Sequence, residues 1–279
     1  MPLTEPIVFE PLFMERVWGG RRLEKLYGKR LPHGVRIGES WEIVDREDVQ
    51  SVVHEGALRG ATLHELWTQR RAEIFGAGLP DTARFPLLFK LLDAQDRLSV
   101  QVHPPAEVAA RLGGEAKMEM WYFMDTLLDS DLYAGLKRGV TRAGFEQALA
   151  AGHVADLIHR MPSRAGDAFF IPTGRVHAIG AGNVIFEVQQ NSDTTYRVFD
   201  WNRLGLDGKP RELHVAESLE SINFDDPEPG VAEQRGEVVI ACEHFRVEKW
   251  TLTGPRACGG PGFAVFAVER GEVACGSRT

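Results

Sequence analysis

The stretch Leu98-Ser99-Val100-Gln101-Val102-His103-Pro104-Pro105 decides how the rest of the chain is read. Apolar and polar residues alternate through it, and alternate side chains of a β-strand share one face. Val100 and Val102 therefore point one way, and Gln101 and His103 the other. A strand with a carboxamide and an imidazole on one face turns that face toward something polar. Pro104 and Pro105 then stop the strand. Two later positions can complete a cluster: Glu119 in Lys117-Met-Glu-Met-Trp-Tyr122, and His177 in Ile171-Pro-Thr-Gly-Arg-Val-His177. Two imidazoles, one carboxylate and one amide oxygen are a ligand set for a borderline divalent metal such as zinc. Taken singly, each is better read as a polar core residue held by hydrogen bonds.

The bulk numbers bound the partners. The 279 residues suffice for one large or two modest domains, and 43% apolar with 26% charged residues describes an ordinary globular protein. A formal net charge of −8 argues against nucleic acid, because phosphate backbones need a basic surface. An anionic small substrate would need a local basic pocket. Cys242, Cys258 and Cys275 are odd in number and lack CxxC spacing, which points to a reducing compartment without a disulfide framework. The opening Met1-Pro-Leu-Thr-Glu-Pro6 has neither the basic nor the apolar region of a signal peptide. No apolar run approaches the ~20 residues that span a bilayer. The expected location is the cytoplasm.

Along the chain, short strands and turns are expected up to residue 53, with strand character at 7–9 and 38–44 and breaks at Gly19-Gly20 and 32–34. Residues 62–75 read as the clearest helix, opened by the capping box Thr62-Leu-His-Glu65 and followed by Gly76. Residues 85–92 read as a buried strand carrying Lys90, which either reaches a polar cavity or snorkels to solvent. Helices are expected at 105–112, 141–150, 154–158 and 213–222. Further strands are expected at 119–124, 166–171, from 177, 184–190, 194–199, 237–241, 245–252 and 263–268, with turns at 254–262. In 194–199, Thr195 and Arg197 share one face.

Gly166, five residues, Pro172-x-Gly174, two residues and His177 resemble the second motif of the cupin barrel, whose metal ligands project inward from neighbouring strands. The family's asparagine would fall at Ala181, whereas this chain has Asn183. The first cupin motif is altered: its His-x-His stands as Gln101-x-His103, and its glutamate is displaced to Glu119. With Gly38-Glu-Ser-Trp41, Phe85-Pro-Leu-Leu-Phe-Lys-Leu-Leu-Asp-Ala94 and Asn191-Ser-Asp-Thr-Thr-Tyr-Arg197, these motifs resemble type I phosphomannose isomerase in its short bacterial form, over about residues 5–225. Met118 stands where many members have threonine or proline.

The resemblance implies a mainly β protein: a cupin (jelly-roll) barrel with helical insertions and a second, shortened β-unit. The implied division is a catalytic domain over 1–210 and a C-terminal unit over 211–279. Members usually continue through a second cupin-like barrel, about where this chain stops soon after 269, so the final barrel is expected to be either incomplete or rebuilt. The implied activity is interconversion of mannose 6-phosphate and fructose 6-phosphate through a cis-enediol. The implied zinc ligands, for one ion per chain, are Gln101, His103, Glu119 and His177, and the implied catalytic arginine is Arg197. Lys117 precedes Glu119 by two residues and is expected on the same face, as a second catalytic residue. Glu187 and Asp193 are further base candidates. Lys90, Lys117, Arg175 and Arg203 are the cations available to a phosphate. Two other readings compete: a cupin Fe(II) dioxygenase using His103, Glu119 and His177, and a sugar-binding cupin without turnover. A monomer and a homodimer are both compatible with the sequence.

Overall fold

A computed structural model describes residues 5–258 and 262–275. The N-terminal residues 1–4 and the tip of the turn region at 259–261, both read above, lie outside the described residues.

The elements, in chain order, are β1 (Leu12–Gly20), α1 (Arg22–Tyr27), β2 (Ile37–Ile43), α2 (Leu63–Ile74), β3 (Leu87–Ala94), β4 (Val100–Val102), α3 (Ala106–Leu112), β5 (Glu119–Thr126) and β6 (Asp131–Leu136). Then follow α4 (Arg142–Ala150), a 3-10 turn at Val154–Leu157, β7 (Ile158–Pro162), β8 (Ala168–Ile171), β9 (His177–Ile179), β10 (Asn183–Gln190), β11 (Tyr196–Phe199), α5 (Val215–Ser221), β12 (Val238–Ala241) and β13 (Arg246–Glu248). Two antiparallel sheets dominate, ordered β1-β2-β3-β10-β5-β8 and β11-β4-β9-β6-β7, and β12 pairs with β13. This is the mainly β, jelly-roll-type architecture that the motifs imply.

Side-chain alternation builds the layers. From the larger sheet Leu92, Trp121, Phe123, Phe169, Ile171 and Ile185 face inward, and from the smaller sheet Leu132, Ala134 and Ile179 meet them. The outer face of the larger sheet, with Phe89, Met120, Tyr122 and Val188, is covered by Leu63, Leu66 and Trp67 of α2 and by Val239, Ile240 and Phe245. The outer face of the smaller sheet, with Val100, Val102, Tyr196 and Val198, is covered by Phe145 of α4, Val154 and Ile222. The capping box at Thr62 forms as read, with the Thr62 hydroxyl accepting from Glu65 N and the Glu65 carboxylate accepting from Thr62 N.

Several local expectations are corrected. Gly19 is no break: β1 runs through it, and a Cβ there would lie 2.4 Å from Gly38 N. The glycine permits close approach of two strands rather than a turn. Strands β6 and β7 and helix α1 were not expected. Residues 263–268 form no strand; Phe263 instead packs on Phe75 and Phe85, with ring centroids 5.7 and 5.0 Å away. A strand needs a partner edge as well as propensity. Among the described residues, no helix is long and apolar enough to cross a membrane.

Candidate active site

The inward face is apolar toward one end of the barrel and polar toward the other. The register explains the polar end. Arg197 on β11 is paired with Gln101 on β4, which is paired with His177 on β9. Across the other sheet Lys90 pairs with Glu187 and Glu187 with Trp121, while Gln189 pairs with Glu119. Neighbouring strands thus bring polar residues from distant parts of the sequence onto one wall.

His103, Glu119 and His177 converge, each offering a ligand atom, with all three atoms within 4.8 Å of one another. His103 Nε2 lies 3.3 Å from one Glu119 oxygen and His177 Nε2 lies 3.5 Å from the other. Both imidazoles are oriented from behind. His103 Nδ1 is 3.0 Å from the Thr194 carbonyl and His177 Nδ1 is 2.9 Å from the Arg175 carbonyl. A carbonyl only accepts, so each Nδ1 donates its hydrogen there. Burial, reinforced by the charge of Lys117, lowers the His103 pKa. Burial, then the neighbouring His103, lowers that of His177 to about 3. Both rings are therefore neutral near pH 7, and each Nε2 presents a lone pair. Burial opposes ionisation of Glu119, but the Lys117 ammonium at 3.1 Å overrides it and holds the carboxyl well below its usual pKa.

Three lone-pair groups thus face one another, and none of them carries a hydrogen toward the others. His103 Nε2 and Glu119 Oε1 are buried without a hydrogen-bond partner among the described residues, and Glu119 Oε2 has the Lys117 ammonium at 3.1 Å. Such an arrangement repels itself unless a cation sits within it. The donor set suits zinc, whose ~2.0–2.1 Å bonds in a tetrahedron put ligand atoms ~3.3 Å apart. Gln101 Nε2 is 3.2 Å from His177 Nε2, and a half-turn of the carboxamide presents its oxygen at that point instead. His103, Glu119 and His177 are placed so that they could hold a metal ion, and Gln101 stands beside them.

A cavity of about 530 Å³ opens beside the cluster, and its wall includes Gln101, Lys117, Arg197, Glu187, Asp193 and Thr195. Lys90 reaches this cavity rather than snorkelling, with Nζ 3.2 Å from Glu187 Oε1. Burial, then the Glu119 charge, raises the Glu187 pKa, and Trp121 Nε1 donates to its other oxygen at 3.1 Å. Burial and the nearby Arg211 lower the pKa of Arg197, which remains a cation. Lys117 precedes the first residue of β5, yet its ammonium meets Glu119.

Two of the cations offered for a phosphate are placed elsewhere. Arg175 forms two bonds to Asp226, at 2.7 and 2.8 Å, and a third to the Phe170 carbonyl, outside the cavity wall. Arg203 is held by Asp200, with Nε 3.0 Å from Oδ1, and does not line the cavity. Arg16, Glu39 and Arg211, which do line it, escaped the sequence reading. Glu39 lies in the Gly38-Glu-Ser-Trp41 motif, which could have flagged it. No motif marks Arg16 or Arg211.

Comparison with known proteins decides the family. A mannose-6-phosphate isomerase of Bacillus subtilis is 41% identical over 264 residues, covering 90% of this chain and 81% of that protein. The chain belongs to the type I phosphomannose isomerase family. The family model for the type I phosphomannose isomerase catalytic domain matches residues 8–125, which include Gln101, His103, Lys117 and Glu119. A crystal structure of mannose 6-phosphate isomerase from Bacillus subtilis superposes with a TM-score of 0.77 at 33% identity, covering 86% of this chain and 78% of that one. A mannose 6-phosphate isomerase bound with zinc and yttrium shares the fold, with a TM-score of 0.64 at 16% identity, covering 86% and 82%. For a phosphomannose isomerase, the isomerase class displaces the dioxygenase reading and the sugar-binding reading without turnover.

Proposed function

We propose that this chain interconverts mannose 6-phosphate and fructose 6-phosphate through a cis-enediol. One zinc ion per chain would be held by Gln101, His103, Glu119 and His177. The observation that carries this is the buried convergence of two Nε2 atoms and the Glu119 carboxylate beside a charged cavity, with His103 Nε2 and Glu119 Oε1 unpartnered among the described residues. The chemistry a bound zinc supplies is Lewis-acid stabilisation of the negative charge that develops on the sugar oxygens at C1 and C2.

The chain's own residues have distinct tasks in this reading. Arg197 keeps a fixed positive charge at the cavity wall and stabilises the enediolate as it forms. Lys117, at 3.1 Å from Glu119, keeps that carboxylate ionised and presents an ammonium donor to a sugar oxygen. Glu187 has its pKa raised by burial and by Glu119, which suits a carboxyl that takes the C2 proton and returns it at C1. The free state of Cys242, Cys258 and Cys275 supports a reducing compartment, the cytoplasm. The proposed catalytic unit spans 1–210, and Val239, Ile240 and Phe245 of the proposed C-terminal unit pack on its outer face.

The test is turnover of mannose 6-phosphate to fructose 6-phosphate before chelation, after it, and after zinc is restored. Product that disappears with chelator and returns with zinc is expected. Folded protein carrying one zinc and forming no product would sink the proposal.

A further inference from the structure

Residues 172–177 form the turn that delivers His177 to the cluster, and contacts from four directions hold it. Gly174 N donates to the His103 carbonyl at 2.8 Å, so the backbone of one histidine anchors the turn that leads to the other. Asn223 N donates to the Gly174 carbonyl at 2.8 Å, and Gly135 N donates to the Val176 carbonyl at 2.8 Å. Between these lies the Arg175 carbonyl, which accepts the Nδ1 hydrogen of His177 at 2.9 Å. Asp226 grips the Arg175 side chain in turn. Nε meets Oδ2 at 2.7 Å and Nη2 meets Oδ1 at 2.8 Å, while Nη1 donates to the Phe170 carbonyl at 2.7 Å. Neither Arg175 nor Asp226 lines the cavity, so neither meets the sugar directly.

Asp226 is fixed as firmly as the arginine it holds. Its carbonyl accepts from Leu136 N at 3.1 Å, and Glu228 N donates to the Leu136 carbonyl at 2.9 Å, so 226–228 lie along the end of β6. Gly135 makes room for that segment. Its φ is 67°, and a Cβ there would stand 2.3 Å from Pro229 Cδ and 2.7 Å from the Asp226 carbonyl oxygen. Asn223 and Asp226 follow α5 and belong to the proposed C-terminal unit, yet both close on the turn that carries a ligand.

We propose that Asp226 is a positioning residue for the zinc site: by fixing the Arg175 fork it fixes the Arg175 carbonyl, and through that carbonyl the ring of His177. The assignment rests on the zinc-ligand reading of His177 and deepens it, because it makes the site depend on residues beyond 210. The physical reason is angular. A guanidinium fork on a carboxylate constrains orientation as well as distance, whereas a single contact constrains distance alone. An imidazole whose Nδ1 hydrogen is committed to a fixed carbonyl keeps Nε2 aimed at the ion. Loosening the fork lets the carbonyl drift and returns rotational freedom to the ring. The cost then falls on metal affinity.

The test measures the zinc Kd of the full chain by competition with a chromophoric chelator, a readout independent of turnover. Asp226→Asn keeps the size of the side chain and removes its charge, and should raise the Kd about tenfold. Asp226→Glu keeps the carboxylate and should fall between that variant and the wild type. Arg175→Lys keeps the charge, loses the fork and should also raise the Kd. Glu42→Gln is the control. The pair of Glu42 with Lys29, at 2.6 Å, is also partly buried and involves no residue of the turn or the cavity wall, so its Kd should match the wild type. A wild-type Kd in Asp226→Asn would overturn the positioning role. An equal rise in Glu42→Gln would overturn it too, since it would mark a general loss of rigidity. Should Asp226→Asn not fold, Arg175→Lys decides by the same readout. Failure of the zinc-ligand reading looks different: the wild-type chain itself would bind no zinc, and the positioning role would fall with it.

Discussion

Lys90 on β3 and Glu187 on β10 stand directly opposite each other and form a buried ion pair, Nζ to Oε1 at 3.2 Å, in the wall of the cavity. Glu39 supports the same ammonium: burial opposes the charge on Lys90, and the two carboxylates restore it. Breaking such a pair from one side strands a charge in the interior. Lys90→Met is expected to destabilise the fold by about 3–5 kcal/mol. Lys90→Met with Glu187→Gln should recover most of that loss. Urea midpoints of the wild type, both single variants and the double variant give the coupling; additive effects would show that the pair does not act as a unit.

Glu39 makes an acid-stability prediction. Burial alone would raise its pKa, but Lys90 and Arg16, with hydrogen bonds from Trp41 and Arg16, bring it from the usual 4.5 to about 2. A carboxyl depressed in the folded state stabilises above its unfolded pKa, and that stability drains away as pH falls toward the folded value. The window here is from about 4.5 down to about 2, worth at most ~3.4 kcal/mol at 1.36 kcal/mol per pH unit. Glu39→Gln should therefore flatten the pH dependence of the unfolding free energy between pH 5 and 3. An unchanged slope would refute the assignment.

Asp45 is a buried carboxylate that accepts from Phe85 N at 2.8 Å and faces His64 Nδ1 at 3.0 Å. It ties the start of the 85–94 segment to the loop after β2. Asp45→Ala leaves a buried N–H unpaired, an expected loss of about 1–3 kcal/mol. Asp45→Asn keeps an acceptor and should lose less. Thermal midpoints of the two variants compare them, and equal losses would mean that charge rather than acceptance matters.

Gly19 tolerates no side chain, because its Cβ would stand 2.4 Å from Gly38 N and 2.6 Å from Ile37 C. Both are backbone atoms, so the β1–β2 pairing itself must shift. Gly19→Ala should lower the denaturation midpoint strongly, whereas Gly34→Ala, with nothing within 4 Å of its Cβ, should cost only the strain of its positive φ of 76°. Similar midpoints for the two would disprove the close-approach argument.

The metal cluster predicts a separable phenotype. Glu119→Gln removes the charge that two neutral imidazoles leave for a cation. Bound zinc, measured by elemental analysis after dialysis, should fall well below one per chain while far-UV circular dichroism is unchanged. Full zinc occupancy in that variant would remove Glu119 from the ligand set.

Much of the site was legible because β periodicity is strict. Gln101 and His103 share a face on any strand, and Thr195 and Arg197 do likewise, so the common direction of each pair followed from spacing alone. Lys90 was not decidable in this way. Whether a lysine in an apolar run snorkels or turns inward depends on what stands opposite, and Glu187 lies 97 positions away in sequence and directly across in register. Arg211 was invisible for the same reason, since its role depends on sharing Asp200 with Arg203 beside a cavity. Residues 263–268 show the converse: local strand propensity was present, and no sheet edge was available to use it.

The sequence by itself determined the alternating strands, the capped helix at α2 and the family, because propensity, periodicity and spaced motifs are local properties. Only the tertiary structure decided which polar residues meet. It put two imidazoles with their Nδ1 hydrogens already committed against one carboxylate, gave Lys90 its partner, withdrew Arg175 to Asp226, and left Arg197 without a carboxylate partner among the described residues. Those outcomes depend on strand register and on which charges are taken out of water together, and neither is written in any short stretch of the chain.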